Sequence, residues 1–359
     1  MNWRRYVENI APYVPGKSIE VVKKESNKEE IIRLASNENP IGPSTKVVET
    51  IRKNMKNIHL YPDSSAIELR TKLASLYDVQ EDEIITGNGA DDVISTVISA
   101  FVNEGDEVLY CNPTFPAYRS STILLGGEPV EVPLTKDFTY DLEELRKKIT
   151  ERTKLIFICN PNNPTGTIVN AFELEHFISN VPEHVIVVLD EAYIEYVRKE
   201  DYLTGIDFFK RGAKVITIRT FSKYYGLAGL RVGYAIASKE LLKPMLRLRA
   251  PFAVNRLAIS AAIAAIDDIE FTENHFKMNE LQKNYLQKEL QKLGFTVYPS
   301  STNFLFVHVK RNGEELSEQL LQKGIIVRSC HSWGYDEHIR IFIGTKEQNE
   351  LWLKALRSL

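Results

Sequence analysis

The sequence predicts an α/β fold in which a large unit, built on a mostly parallel central sheet flanked by helices, precedes a smaller α+β unit. Three observations carry that expectation. Unbroken apolar runs, from Lys154 to Cys159 and from Val185 to Leu189, suit strands covered on both faces, as in parallel sheets. These runs alternate with helical segments from about Ser44 to Phe209. After about Leu246 the texture changes to a long helical stretch followed by short strands and helices. At 359 residues the chain exceeds one small core, and the usual domain size of roughly 100–200 residues points to about two.

The elements follow in order. The first 30 residues mix Pro, Lys and Glu and read as an extended arm with one short helix. Glu68 to Tyr77 sets Leu69, Leu73 and Leu76 at helical spacing. Glu83 to Thr86 reads as a short strand, Val93 to Phe101 as an apolar helix, and Glu107 to Tyr110 as a second strand. The runs at Lys154, Val185, Val215 and Val232 add further strands. Arg256 to Leu293 reads as a long helical region, with Gly294 placed as its cap. The tail reads strand (304–309), helix (313–323), strand (325–327), strand (339–343) and helix. The expected division is an arm over 1–30 associated with the small unit, a large unit over 31–246 and a small one over 247–359.

Composition narrows the function classes. Hydrophobic content of 43% and charged content of 26% are those of an ordinary soluble globular protein. A net charge of −3 offers no basic footprint for nucleic acid and no polybasic case for a membrane surface. Cys111, Cys159 and Cys330 are odd in number and far apart, so neither a disulfide scaffold nor a cysteine metal site is expected. The first residues lack the apolar core of a signal peptide, and Leu257 to Ile266 is too short to span a bilayer. His331 and His338 match no recognised metal spacing. The expected location is the cytoplasm, with no metal, nucleic acid or membrane as partner.

Chemistry is expected at strand ends, where open α/β sheets bind ligands, and five of them are unusual. The run Val215 to Ile218 leads directly to Ser222 and Lys223. A lysine withdrawn from water has a depressed pKa and can attack a carbonyl. Thr86 to Asp92 (T-G-N-G-A-D-D) joins a strand to an apolar helix. Its glycines either let backbone amides face a phosphate or form a tight turn with Asp91 and Asp92 complementing the helix dipole. The turn is not a dinucleotide fingerprint, and no Walker A motif occurs.

Cys111 to Tyr118 is stiffened by Pro113 and Pro116, and Phe115 or Tyr118 either stacks on a flat ring or fills core. Asn160 to Gly166 (N-P-N-N-P-T-G) is a stiff polar loop offering Asn163 as a donor. Asp190 ends the Val185 run, and a carboxylate there is costly to bury without a cation. A pyridinium nitrogen answers that need, as helix capping also does, and Tyr193 is in reach of the same ring's oxygen. Arg231 adds a fixed charge suited to phosphate, among Gly226, Gly229 and Gly233, which let the loop pass close. One cofactor needs these parts together. Pyridoxal 5'-phosphate requires a lysine for its carbonyl, an acid for its ring nitrogen and a cradle for its phosphate.

With these motifs, and with Ala11 to Lys17 (A-P-Y-V-P-G-K), Leu34 to Pro40 (L-A-S-N-E-N-P), Tyr61-Pro62-Asp63 and Ile339 to Thr345 (I-R-I-F-I-G-T), the chain resembles the class I/II, fold type I, pyridoxal-phosphate-dependent aminotransferases over nearly its whole length. The resemblance implies that Lys223 binds the cofactor carbonyl and shuttles the proton, while Asp190 keeps the ring nitrogen protonated. It implies that Asn163 and Tyr193 hydrogen-bond the ring oxygen and that Phe115 stacks on the ring. Where the family often has Tyr, Phe115 keeps the stacking surface and lacks a hydroxyl. Ala90 and Asp91, through backbone amides, join Ser222 and Arg231 in holding the phosphate. Tyr61 is implied to reach that phosphate from the other subunit of a homodimer with a shared active site. Arg340, Arg328, Tyr13 and Asn163 are implied to bind the substrate, its anionic end above all.

Family members with such N-terminal strings transfer an amino group from glutamate to imidazole-acetol phosphate, giving histidinol phosphate and 2-oxoglutarate in histidine biosynthesis. That reaction is the expectation. An aromatic amino-acid aminotransferase is the alternative, since one anion-binding arginine and an apolar pocket serve either substrate. The stretch Arg328 to Tyr335 is also similar to threonine-phosphate decarboxylases. A cofactor-sensing regulator would need a DNA-binding domain, for which the chain leaves no room.

Overall fold

In the computed structural model, which describes residues 5–10, 19–26, 30–199 and 201–359, the apolar runs assemble into a seven-stranded sheet. Its strands lie in the spatial order Ile84–Gly87, Gly233–Ile236, Val215–Thr220, Ile186–Asp190, Thr153–Cys159, Glu107–Asn112 and Glu128–Pro133. From Val215–Thr220 to Glu128–Pro133 every pairing is parallel. Gly233–Ile236 runs antiparallel to both its neighbours. Ile84–Gly87 therefore points the same way as the five parallel strands, and all six carboxyl ends share one edge.

Alternating residues of the sheet enter different cores, as a two-residue side-chain period requires. Ile85 and Ala235 join a cluster with Val93, Ile94 and Val97 of the helix Ala90–Phe101. Ile84, Tyr234 and Ile236 join another, with Leu69 and Leu73 of Ile67–Tyr77 and the alanines of Arg256–Ile266. Covered on both faces, Val215–Thr220 and Ile186–Asp190 are buried at every residue. That burial is why the run 186–189 contains no polar alternation, and why Thr217 and Arg219 of the neighbouring strand are themselves buried.

A four-stranded antiparallel sheet follows in the order Arg328–Ser329, His338–Phe342, Phe304–His308, Thr296–Val297. It shares a core with the helices Ile269–Lys292, Gly313–Gln322 and Lys346–Arg357, where Leu286, Leu316, Trp352 and Ile341 meet. The short strand Ile32–Arg33 pairs in parallel with Ile325–Ile326. The segment after it is tied in two directions. Asn303 donates to the Asn37 and Glu38 oxygens, whereas Asn37 and Asn39 donate to Tyr193 and to the Tyr224 oxygen.

Three elements differ from the sequence expectation. The 256–293 region is two helices, because the Asp268 side chain accepts from Phe271 N at 3.3 Å and starts a second one. Ile325–Val327 is not one strand. The chain pairs with Ile32–Arg33 through Ile326, then switches sheets so that Arg328–Ser329 pairs with His338–Phe342. Glu128–Pro133 is an unexpected strand. It lies at the sheet edge, where Pro129 and Pro133 forfeit no ladder bond on the open side.

Candidate active site

The shared carboxyl edge gathers the unusual loops. Asp190 ends one strand, and Lys223 lies three residues beyond the neighbouring parallel strand. Lys223 is half-buried, with Nζ 3.4 Å from the Ser36 oxygen and 5.9 Å from the Tyr193 ring centroid. Burial, reinforced by the Arg340 guanidinium, brings its pKa down to about 8, against the opposing pull of Asp91 and Glu38. A fraction of the amine is therefore neutral near pH 7, as a nucleophile or general base requires.

Two adjacent buried carboxylates show what Asp190 lacks. Glu191 accepts from Arg219 at 2.7 and 2.9 Å and from Gly205 N at 2.6 Å. Among the described residues, Asp190 accepts only from the Tyr118 hydroxyl at 2.6 Å and from Ala192 N at 3.2 Å. Burial pushes its pKa up to about 6, with the Tyr118 hydrogen bond holding it back. Among the described residues it has no cationic partner, and such a group invites a cation from a ligand.

The other side chains present donors around this pair. Tyr193 is buried, and its hydroxyl accepts from Asn37 Nδ2 at 3.0 Å. Asn163 Oδ1 accepts from Arg340 at 2.5 Å, which leaves the amide N–H groups to face a ligand oxygen. Arg340 also donates to the Ala35 oxygen at 2.6 Å and is itself buried.

The turn after Ile84–Gly87 forms an anion cradle. The helix Ala90–Phe101 starts there, so Ala90 and Asp91 carry first-turn amides without helical acceptors. Arg231 donates to the Asp91 carboxylate at 3.0 Å and to the Ala228 oxygen at 3.2 Å. The glycines permit this approach. A Cβ on Gly89 would stand 2.6 Å from the Arg231 guanidinium, and one on Gly233 would stand 2.6 Å from Ala90 N. Ser222 accepts from Thr220 Oγ1 at 3.0 Å, which leaves its own hydroxyl proton to donate. The cradle, the lysine and the uncompensated carboxylate together fit pyridoxal phosphate.

Phe115 and Tyr118 have different places. Phe115 is partly buried and meets Tyr118 edge-on at 5.9 Å. Tyr118 is fully buried, stacks on Phe157 at 4.5 Å and spends its hydroxyl on Asp190. Only Phe115 is thus available to face a ring. Tyr61 is 79% exposed and stacks on Phe252 at 4.6 Å. Arg328 lies over the Trp333 ring. Tyr13 falls outside the described residues.

Sequence reasoning misses Tyr118 and Asn37 as positioning residues. Asn37 does carry a signal, since it stands in the L-A-S-N-E-N-P string and adopts φ +52°. Tyr118→Phe removes the hydrogen bond that favours the Asp190 carboxylate, so the Asp190 pKa rises. The acid limb of the activity profile is expected to move up by about one pH unit. A pH profile checks this, and an unmoved limb would mean that the hydroxyl does not tune Asp190.

The sequence profile of the Aminotransferase class I and II family matches residues 29–356. The chain is 44% identical over 357 residues to the histidinol-phosphate aminotransferase of Moorella thermoacetica, a span of 99% of this chain and 92% of that protein. It is 43% identical to the histidinol-phosphate aminotransferase of Caldicellulosiruptor saccharolyticus, over 99% of each. Among solved structures, histidinol-phosphate aminotransferase from Sinorhizobium meliloti, in complex with pyridoxal-5'-phosphate, superposes with a TM-score of 0.91 at 25% identity, covering 99% of this chain and 98% of that one.

Proposed function

This chain belongs to the class I and II aminotransferases, and on that premise we propose that it transfers an amino group from glutamate to imidazole-acetol phosphate, using pyridoxal phosphate. The observation that carries the chemistry is Lys223, its pKa lowered to about 8, on the strand end next to that of a buried Asp190 with no cationic partner among the described residues. The substrate rests on the full-length likeness to histidinol-phosphate aminotransferases.

When bound, pyridoxal phosphate supplies a carbonyl for the amine and a ring that withdraws electrons from the bond being broken. The chain's residues do the rest. Lys223 Nζ takes the proton from the donor's α-carbon and returns it on the acceptor side. Asp190 holds a proton on the ring nitrogen, and Tyr118 holds Asp190. Tyr193 and Asn163 fix the ring through its oxygen, and Phe115 covers its face. The amides of Ala90 and Asp91, with Ser222 and Arg231, grip the phosphate. Arg340, Arg328 and Tyr13 bind the anionic end of each substrate, which sets its α-carbon over the lysine.

The same reading makes the active site a property of a homodimer. Tyr61 stands with the exposed Ile58, Leu60 and Phe252 along one groove, and a second copy covering this groove would bring Tyr61 to its partner's phosphate cradle. Among the described residues no helix is long and apolar enough to cross a membrane, and Cys111, Cys159 and Cys330 are free thiols. The free thiols support a reducing, cytoplasmic setting. The reading also keeps a cofactor-binding unit over 31–246 and a small unit over 247–359, with the 34–40 segment serving both.

Absorbance tests the reaction directly. Glutamate alone is expected to bleach the visible band of the holoenzyme and release 2-oxoglutarate. Imidazole-acetol phosphate is then expected to restore the band. A band that glutamate leaves unchanged would remove glutamate as donor, and failure of the ester to restore it would remove the proposed acceptor.

A further inference from the structure

Trp333 is a point where three parts of the pocket meet. Its indole N–H donates to the Thr114 backbone oxygen at 2.9 Å, next to Phe115. Its ring lies 5.5 Å from the Arg328 guanidinium and 5.8 Å from that of Arg340. Both distances are within the ~6 Å over which an aromatic face attracts a cation. Arg340 in turn donates to Asn163. The adjacent Asn162 accepts from the Thr114 hydroxyl at 2.9 Å and donates to the Pro113 oxygen at 3.1 Å. The contacts close a circuit from the indole to the 112–116 loop, across to the 160–166 loop, through Arg340 and back.

Both arginines have other partners, and the indole adds the one contact that they share. Arg340 is buried and has the Asn163 and Ala35 oxygens to fix it whether or not the indole is there. Arg328 is only partly buried, and its guanidinium rests on the Trp333 ring. Two like charges beside one another repel, and the electron-rich ring face offsets that repulsion.

We infer that Trp333 is a specificity-determining positioning residue, which holds Arg328 beside Arg340 so that both serve one doubly charged end of the acceptor. The inference rests on the reading above, in which these arginines bind the substrate's anion. A phosphate ester carries nearly two negative charges at neutral pH and a carboxylate one, so the second guanidinium adds more to the ester, in proportion to the charge product. Trp333 thereby favours a phosphorylated acceptor over a plain keto acid.

Trp333→Ala and Trp333→Phe, as holoenzymes, test this. In Trp333→Ala the KM for imidazole-acetol phosphate is expected to rise about tenfold, the scale of a lost cation–π contact. Turnover at saturation is expected to stay within about twofold, and the KM for glutamate, followed by absorbance of the half-reaction, to rise only about threefold, since a carboxylate carries half the charge. Trp333→Phe keeps a ring face and is expected to recover most of the KM. Calorimetric titration with inorganic phosphate should show the same order of affinities, wild type and Phe above Ala, without any turnover. Equal losses in both half-reactions, no change in either, or a Phe variant no better than Ala would each overturn the inference. Should the wild type not turn over the ester at all, the acceptor assignment falls instead, and the phosphate titration still decides the role of Trp333.

Discussion

Lys223→Ala is expected to lose transamination by a factor on the order of 10⁴ or more in kcat, because in the proposed reaction one side chain both holds the cofactor and moves the proton. The substituted protein should also lose the visible absorbance of the holoenzyme. Folding should be little affected, since Lys223 is half-buried and its one hydrogen bond among the described residues, to the Ser36 oxygen, is a long 3.4 Å. A cooperative melt near that of the wild-type apoprotein is therefore the control. The depressed pKa adds a pH dependence with a definite sign. The neutral amine is the reactive form, so capture of pyridoxal phosphate by the apoprotein should quicken as pH rises and level off above about 8. A lysine at its ordinary value would keep gaining rate to beyond pH 10. Rapid mixing across pH separates the two, and a rise that continues past pH 10 would show that burial does not tune Lys223.

Asp190→Asn is expected to lower kcat/KM by on the order of 10³-fold, about 4 kcal/mol of transition-state stabilisation. Asparagine has the size of aspartate without the charge, so the pocket keeps its shape while the ring nitrogen loses the partner proposed to hold its proton. The effect should fall on kcat more than on KM, because the ring's electron demand peaks in the transition state. Asp190→Glu keeps the charge on a longer arm and should recover part of the rate. The Tyr118 hydroxyl can still donate to an amide oxygen, so Asp190→Asn is not expected to unfold the protein. Steady-state kinetics on the three proteins decide the matter. An Asp190→Asn variant within tenfold of wild type would mean that the ring nitrogen is not protonated by this carboxylate.

Much of the site is legible in the sequence because parallel strands leave a plain signature. Val215–Thr220 and Ile186–Asp190 are buried throughout, so their runs read as strands, and the first polar residues past them mark the ligand edge. The N-P-N-N-P-T-G loop and the glycines before Ala90 stand out for the same reason, since backbone must come close there. Tyr118 is not legible. It sits in core packing, as its spacing implies, and its tie to Asp190 spans 72 residues of chain, which no local pattern encodes. The Glu128–Pro133 strand is hidden too. An edge strand with two prolines lacks the apolar run that marks its central neighbours. The break at Asp267 and Asp268 depends on one capping side chain inside a continuous apolar period. Tyr61 shows a limit of another kind, because its expected partner belongs to a second copy of the chain.

The most direct measurement of the central claim is the ratio of kcat/KM values for imidazole-acetol phosphate and phenylpyruvate, with glutamate as the common donor. Two guanidiniums, Arg340 and Arg328, flank Trp333, and a cationic pocket of that kind favours the dianionic ester. The predicted ratio is on the order of 10² or more, the scale of a buried charge left without its counter-ion. Equal use of the two acceptors, or preference for phenylpyruvate, would contradict the account and make this an aromatic amino-acid aminotransferase.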